Sequence, residues 1–203
     1  MASDNPITVQ YNGVDIRTCV AHNYNSSFNL KIPYGYNYRN CIFGLGIRWG
    51  TNPADEKVAS LRLCHNDYCV IIQLHHLGRE SVPESLKSLF ADSSITFVGV
   101  SAKEDLLQLK QDYGLECSGR VHDLLPLADM VYGFKDHFNI DNTTQGMDRL
   151  AQEIFGITID KPDRLVTRSD WGIKFLTADQ IKYATIDAYL SFFIGSNLLA
   201  SRK

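Results

Sequence analysis

At 203 residues, with 44% hydrophobic and 21% charged side chains, the chain has the size and composition of one globular domain with a full core. A net charge of −3 argues against a protein that coats duplex nucleic acid by bulk charge, while a local basic groove for a single strand stays compatible with it. No run approaches the roughly 18 apolar residues of a bilayer span, and the opening MASDNP lacks the basic and apolar stretches of a secretory signal. No membrane contact is therefore expected, and the setting read is cytoplasmic, with nuclear as the alternative.

The first predicted element is a hairpin. PITVQY and VDIRTCVAH alternate on either side of Asn12-Gly13, a dipeptide that accepts the positive φ of a tight reversal. Residues 23–40 follow, rich in Asn, Ser and Tyr and without helical period. Tyr24, Phe28, Tyr34, Tyr36 and Tyr38, with Lys31 and Arg39, suit base stacking, packing on another subunit, or a surface loop pinned by its tyrosines. Three strands come next, IFGLGIRW, KVASLRLC and YCVIIQLH, the last two joined across His65-Asn66-Asp67. The five cysteines are odd in number and mostly fall in such strands, as reduced core thiols do.

Strand and helix then alternate. SVPESLKSLFAD carries the Ser81-to-Glu84 spacing of a capping box, SITFVGV reads as a strand, and SAKEDLLQLKQDYG opens on a second box, Ser101 to Glu104. RVHDLLPLADMV reads as a short strand running into a helix, and TQGMDRLAQEIFG as another helix. The last helix, TADQIKYATIDAYLSFFIGSNLLA, is introduced by a Thr177/Gln180 box. A meander followed by this alternation predicts an α/β domain whose mixed sheet is covered by helices.

Three polar residues stand out by position. Tyr183 and Asp187 are four apart and share a helix stripe with Leu190 and Ile194, so the carboxylate points inward, where it needs a cation or a metal. Asp105 lies in the first turn of the helix after FVGV, at a strand end where α/β proteins place their sites, although an acid favoured by the helix dipole fits there too. In IFGLGIRW, parity sends Phe43, Leu45, Ile47 and Trp49 one way and Ile42, Gly44, Gly46 and Arg48 the other. An arginine in so apolar a strand calls for a partner. Trp49 and Trp171 are read as packing residues. Lys161, Arg164, Arg168 and Lys174 precede the last helix and suit either an RNA backbone or a solvated loop.

FVGVSAKEDLLQL, VHDLLPLA, GMDRLAQEIFG and RSDWGIKFLTADQIKYATIDAY, in this order, resemble the second and third motifs of the DnaQ-like 3′-5′ exonucleases. Within that group the chain is similar to the tyrosine subclass that contains the Werner-syndrome exonuclease domain. The resemblance implies an α/β, ribonuclease-H-like (DnaQ-like exonuclease) mixed sheet flanked by helices with an N-terminal β-hairpin extension. Residues 1–41 would be hairpin and aromatic arm of the same domain, and residues 42–203 the exonuclease domain. It further implies a two-metal site for Mg2+ or Mn2+, with Asp105, Tyr183 and Asp187 catalytic and Asp105 and Asp187 holding metal. Arg48, Arg168 and Lys161 are the substrate-binding candidates.

The sequence departs from that pattern where Gly46 and Arg48 occupy the positions at which the likeness places an Asp and a Glu. The hairpin, the Gly-Ile-Arg-Trp strand and the single-domain length resemble the plant RISC-interacting clearing exoribonucleases. That likeness implies a 3′-to-5′ exoribonuclease acting on single-stranded RNA in RISC-linked clearance, with Argonaute partners and a homo-oligomeric ring, a hexamer with sites at subunit interfaces. The alternative is a catalytically inactive pseudo-exonuclease that binds RNA or protein, with Arg48 replacing a metal's charge and pairing with Asp105 or Asp187. Acids weighed for the gap are Asp55, Glu56, Glu104, Asp123, Asp148 and Glu153. Removing an inward carboxylate by Asp187→Ala is expected to leave the fold intact.

Overall fold

A computed structural model describes residues 6–21, 40–51, 57–77, 81–133, 144–160 and 164–202. The aromatic arm of residues 23–39, Asp55, Glu56 and Lys161 lie outside the described residues. Among the described residues seven strands form one sheet: β1 (Ile7–Tyr11), β2 (Val14–Ala21), β3 (Ile42–Trp49), β4 (Val58–His65), β5 (Tyr68–Ile72), β6 (Thr96–Gly99) and β7 (Arg120–Asp123). Among the described residues five helices accompany them: α1 (Glu84–Ala91), α2 (Ala102–Tyr113), α3 (Leu124–Tyr132), α4 (Thr144–Phe155) and α5 (Ala178–Ser201). None of the described helices is long and apolar enough to cross a membrane.

The spatial order is β1-β2-β5-β4-β3-β6-β7. β3, β4 and β5 are an antiparallel meander, while β6 pairs parallel to β3 and β7 parallel to β6, so the sheet is mixed. The hairpin turns at Asn12 and Gly13, both at positive φ, and its β2 joins the sheet parallel to β5.

Alternation along the central strands divides the core in two. Phe43, Leu45, Ile47, Leu61 and Leu63 face α1 and α2, packing on Leu86, Phe90, Leu106 and Leu109. Ala59, Cys64, Ile71 and Val98 belong to the opposite layer, with Tyr183, Leu190 and Ile194 of α5 and Leu127 and Leu150 of α3 and α4.

Cap chemistry follows the sequence in part. The Thr177/Gln180 box forms in both directions, and the Gln180 amide also donates to the Asp170 carbonyl, fixing the loop that delivers α5. The Ser81 box does not form, because α1 starts only at Glu84 with Pro83 in the cap position. Ser101 is the N-cap of α2 but its hydroxyl makes no cap bond; Asp123 at the end of β7 accepts the Lys103 N–H instead, at 3.1 Å. Trp49 departs from its expected packing role. The strand register shifts between Arg48 and Trp49, which breaks the parity and leaves the indole 43% exposed, whereas Trp171 is buried as read.

Candidate nucleic-acid cleft with two arginines

β3, β4, the start of α2 and the middle of α5 meet around a cleft of about 150 Å³. Its depth depends on Gly44. A Cβ there would run into the Ala188 carbonyl and the Phe192 N–H of α5, so the missing side chain lets the helix lie directly on β3. That close approach places Tyr183 and Asp187, one turn apart, over the strand positions of Gly46 and Arg48.

Asp187 carries two guanidiniums. Arg62 Nη1 donates to its Oδ2 at 2.8 Å, and Arg48 Nη2 approaches the same oxygen at 3.4 Å. Arg62 Nη2 and Arg48 Nη1 both donate to the Ile47 carbonyl at 2.9 Å. Arg48 Nη2 also donates to the Tyr183 hydroxyl at 3.0 Å, and its guanidinium carbon sits 5.3 Å from the Tyr183 ring centroid. Arg62 is almost wholly buried, its side chain 1% exposed against 19% for Arg48.

Arg62 was not singled out by sequence reasoning, yet it explains the glycine. Gly46 and Arg62 are partners across the β3–β4 ladder, and a Cβ on Gly46 would stand 2.7 Å from Arg62 Nη2. The empty position is filled by the neighbouring strand's guanidinium. The signal that KVASLRLC offers is its one arginine, a charge amid apolar strand residues that calls for a partner.

Electrostatics follow from this crowding. Burial works against the charge on Arg48, but Asp187 and Tyr183 outweigh it and its pKa rises. For Arg62, burial and then the adjacent Arg48 push the pKa down. A guanidinium has enough margin to stay protonated in either case. Burial pushes the Asp105 carboxyl up from about 3.8 to about 7, against the pull of Arg62 and Arg48 and a hydrogen bond from the Ile47 backbone N–H; Asp187 adds to the rise.

The donor set does not fit a pair of divalent ions. Hard cations need several oxygen ligands, and among the described residues the carboxylates lining the cleft are those of Asp105 and Asp187, the second already engaged by two cations. No cluster of three His, Cys, Asp or Glu suited to a metal occurs among the described residues. Arg48 and Arg62 give the cleft the donors and positive charge that suit an anion.

The structure thus brings together Asp105, Tyr183, Asp187 and Arg48. Arg168 is exposed on the 3-10 turn of Arg164–Arg168 and does not line the cleft. Among the acids weighed for the gap, Asp123 serves the start of α2, Glu104 and Glu153 are exposed, and Asp148 does not line the cleft.

A protein-family model described as "3'-5' exonuclease" matches residues 49–200. An Arabidopsis thaliana "3'-5' exonuclease" is 30% identical over 158 residues, which is 74% of this chain and 50% of that protein. Among solved structures, Brucella melitensis NrnC superposes with a TM-score of 0.66 at 18% identity, covering 92% of this chain and 81% of that one. A Trypanosoma brucei RNase D, solved in complex with RNA U12, gives a TM-score of 0.62 at 16% identity, covering 81% and 57%. The chain spans half or less of the length of the curated relatives it matches. These likenesses agree with the DnaQ-like fold read from the motif order.

Proposed function

We propose, from the premise that this chain belongs to the 3′-5′ exonuclease family, that it binds ends of single-stranded RNA and that a single copy holds them without cutting. The observation that carries this reading is the Arg62–Asp187–Arg48 cluster, in which two fixed cations occupy the cleft and use the carboxylate that a metal would need. Guanidiniums bind phosphate through forked, charge-assisted hydrogen bonds and require no metal. RNA as the ligand class is supported by the neighbours: one RNase D structure is described with RNA U12, and one NrnC structure with pGG.

Hydrolysis by water needs an activated nucleophile and stabilisation of the leaving 3′ oxygen. In this chain Tyr183, one of the residues that the family likeness implies to be catalytic, has its hydroxyl held by Arg48. The arrangement orders a phosphate but supplies neither requirement.

A second reading is favoured by the convergence of Asp105, Tyr183 and Asp187 on one cleft. In that reading the protein is a divalent-metal-assisted exoribonuclease whose missing acids come from a neighbouring copy. The Mg2+ or Mn2+ requirement, the ring of subunits, the Argonaute partner, the RISC link and the cytoplasmic setting all belong to it. One NrnC structure is described with bound Mg2+.

End-labelled single-stranded RNA separates the two. With clean protein in EDTA, in Mg2+ and in Mn2+, the binding reading expects complexes in all three buffers and intact RNA. Stepwise shortening from the 3′ end that starts only with metal, and stops with Asp187→Asn, decides for the enzyme.

A further inference from the structure

We infer that the floor of the cleft is a receptor for a terminal phosphomonoester of single-stranded RNA, gripped between the guanidiniums of Arg62 and Arg48. This deepens the RNA-binding reading and rests on it.

Three observations carry the inference. The first is unused hydrogen-bonding capacity. Nε of Arg48 and Nε of Arg62 are both buried and without a hydrogen-bond partner. Buried charged N–H groups left unpaired are costly, and they recur where a ligand completes the set. Each guanidinium binds Asp187 and the Ile47 carbonyl through its Nη groups, Arg48 also the Tyr183 hydroxyl, and both arginines line the one cleft.

The second is charge. Two guanidiniums share the single carboxylate of Asp187, while Asp105 takes its hydrogen bond from the Ile47 backbone N–H. Two cations on one carboxylate leave the cleft attractive to an anion that bridges the two arginines. A phosphomonoester carries close to two negative charges at neutral pH and three oxygens, enough for two forks.

The third is depth. Arg62 sits at the bottom, 1% exposed, with its guanidinium in the space that a Gly46 side chain would take, and Arg48, 19% exposed, forms the wall. An internal phosphodiester has chain leaving on both sides and cannot descend to Arg62. A terminal phosphate can enter end first. Trp49 lines the same cleft at the solvent edge and offers a ring face to the base that follows.

The test is a titration of internally labelled hexauridylate by the full chain in EDTA, with three versions of the ligand: 3′-phosphate, 5′-phosphate, or hydroxyl at both ends. One phosphate-ended version is expected to bind at least about tenfold tighter than the hydroxyl-ended one, and which one identifies the end that enters. Arg62→Lys and Arg48→Gln should each remove that preference; Arg48→Gln, at the partly exposed wall, keeps the buried Arg62–Asp187 pair. Equal affinity for all three ligands overturns the inference and leaves RNA binding standing. A preference that survives both substitutions overturns it as well. If uridine 3′-monophosphate or uridine 5′-monophosphate binds through the arginines but no hexamer does, the phosphate site stands and the RNA reading falls.

Discussion

Asp187 shows how a single neighbour reverses an expectation. Considered alone, an inward carboxylate is a desolvation cost, and Asp187→Ala is expected to spare the fold. In the structure the same carboxylate neutralises Arg62, whose side chain is almost inaccessible to water. Asp187→Ala should therefore lower stability by about 3–5 kcal/mol, the range seen when one partner of a buried ion pair is removed. Urea denaturation checks this, with a control: Arg62→Met combined with Asp187→Leu should be less destabilised than the Asp187→Ala single variant, since the more deeply buried guanidinium leaves together with its partner. Asp105 makes a second prediction. Its carboxyl is held near 7 in the fold against about 3.8 ordinarily, chiefly by burial. Between those values the unfolded chain loses the proton and the folded one keeps it, so stability falls as pH rises from about 4 to 7 and levels off above. Asp105→Asn removes the titration. Its melting temperature should exceed the wild type's by more at pH 8 than at pH 5, and an equal difference at both would mean that burial does not govern this carboxyl.

At the scale of elements, the contact between β3 and α5 sets the site, and it tolerates little. Gly44→Ala inserts a methyl group where α5 backbone already sits, so the helix must lift off the sheet. The cost should reach about 3 kcal/mol, the upper end of the overpacking range, and a denaturation midpoint measures it. Much of this geometry is legible in the chain: the Asn-Gly hairpin, the apolar β3, and the α5 stripe with its cap are local patterns that tertiary contacts reinforce. What escapes the sequence has physical causes. The Ser81 box yields to Pro83 and a later helix start, and Asp123, distant in sequence, replaces the Ser101 cap. A register shift turns Trp49 outward. Arg62 was passed over because no pattern within KVASLRLC tells what lies opposite it; only strand pairing sets that guanidinium against Gly46 and under Asp187.

At the scale of the molecule, a chain of net charge −3 concentrates two buried cations in one cleft, so recognition depends on local field and shape. The family likeness implies acids at positions 46 and 48, and the coupling among three residues explains why neither can be restored singly. Gly46→Asp alone drives a side chain into the Arg62 guanidinium, and Arg48→Glu alone leaves Arg62 beside the new acid. Only Gly46→Asp, Arg48→Glu and Arg62→Gln together free Asp187 and gather four carboxylates with no cation among them. The triple variant should be stabilised by Mn2+ or Mg2+ where the wild type is expected not to be, by about 2.7 kcal/mol at a metal concentration one hundred times its dissociation constant. Thermal melts with and without metal read this directly, before any assay of RNA. Stepwise shortening of single-stranded RNA from the 3′ end should accompany the shift. If instead the unaltered protein is stabilised by metal and the triple variant is not, a neighbouring copy supplies the ligands, and Arg62 and Arg48 serve the phosphate beside a working metal centre.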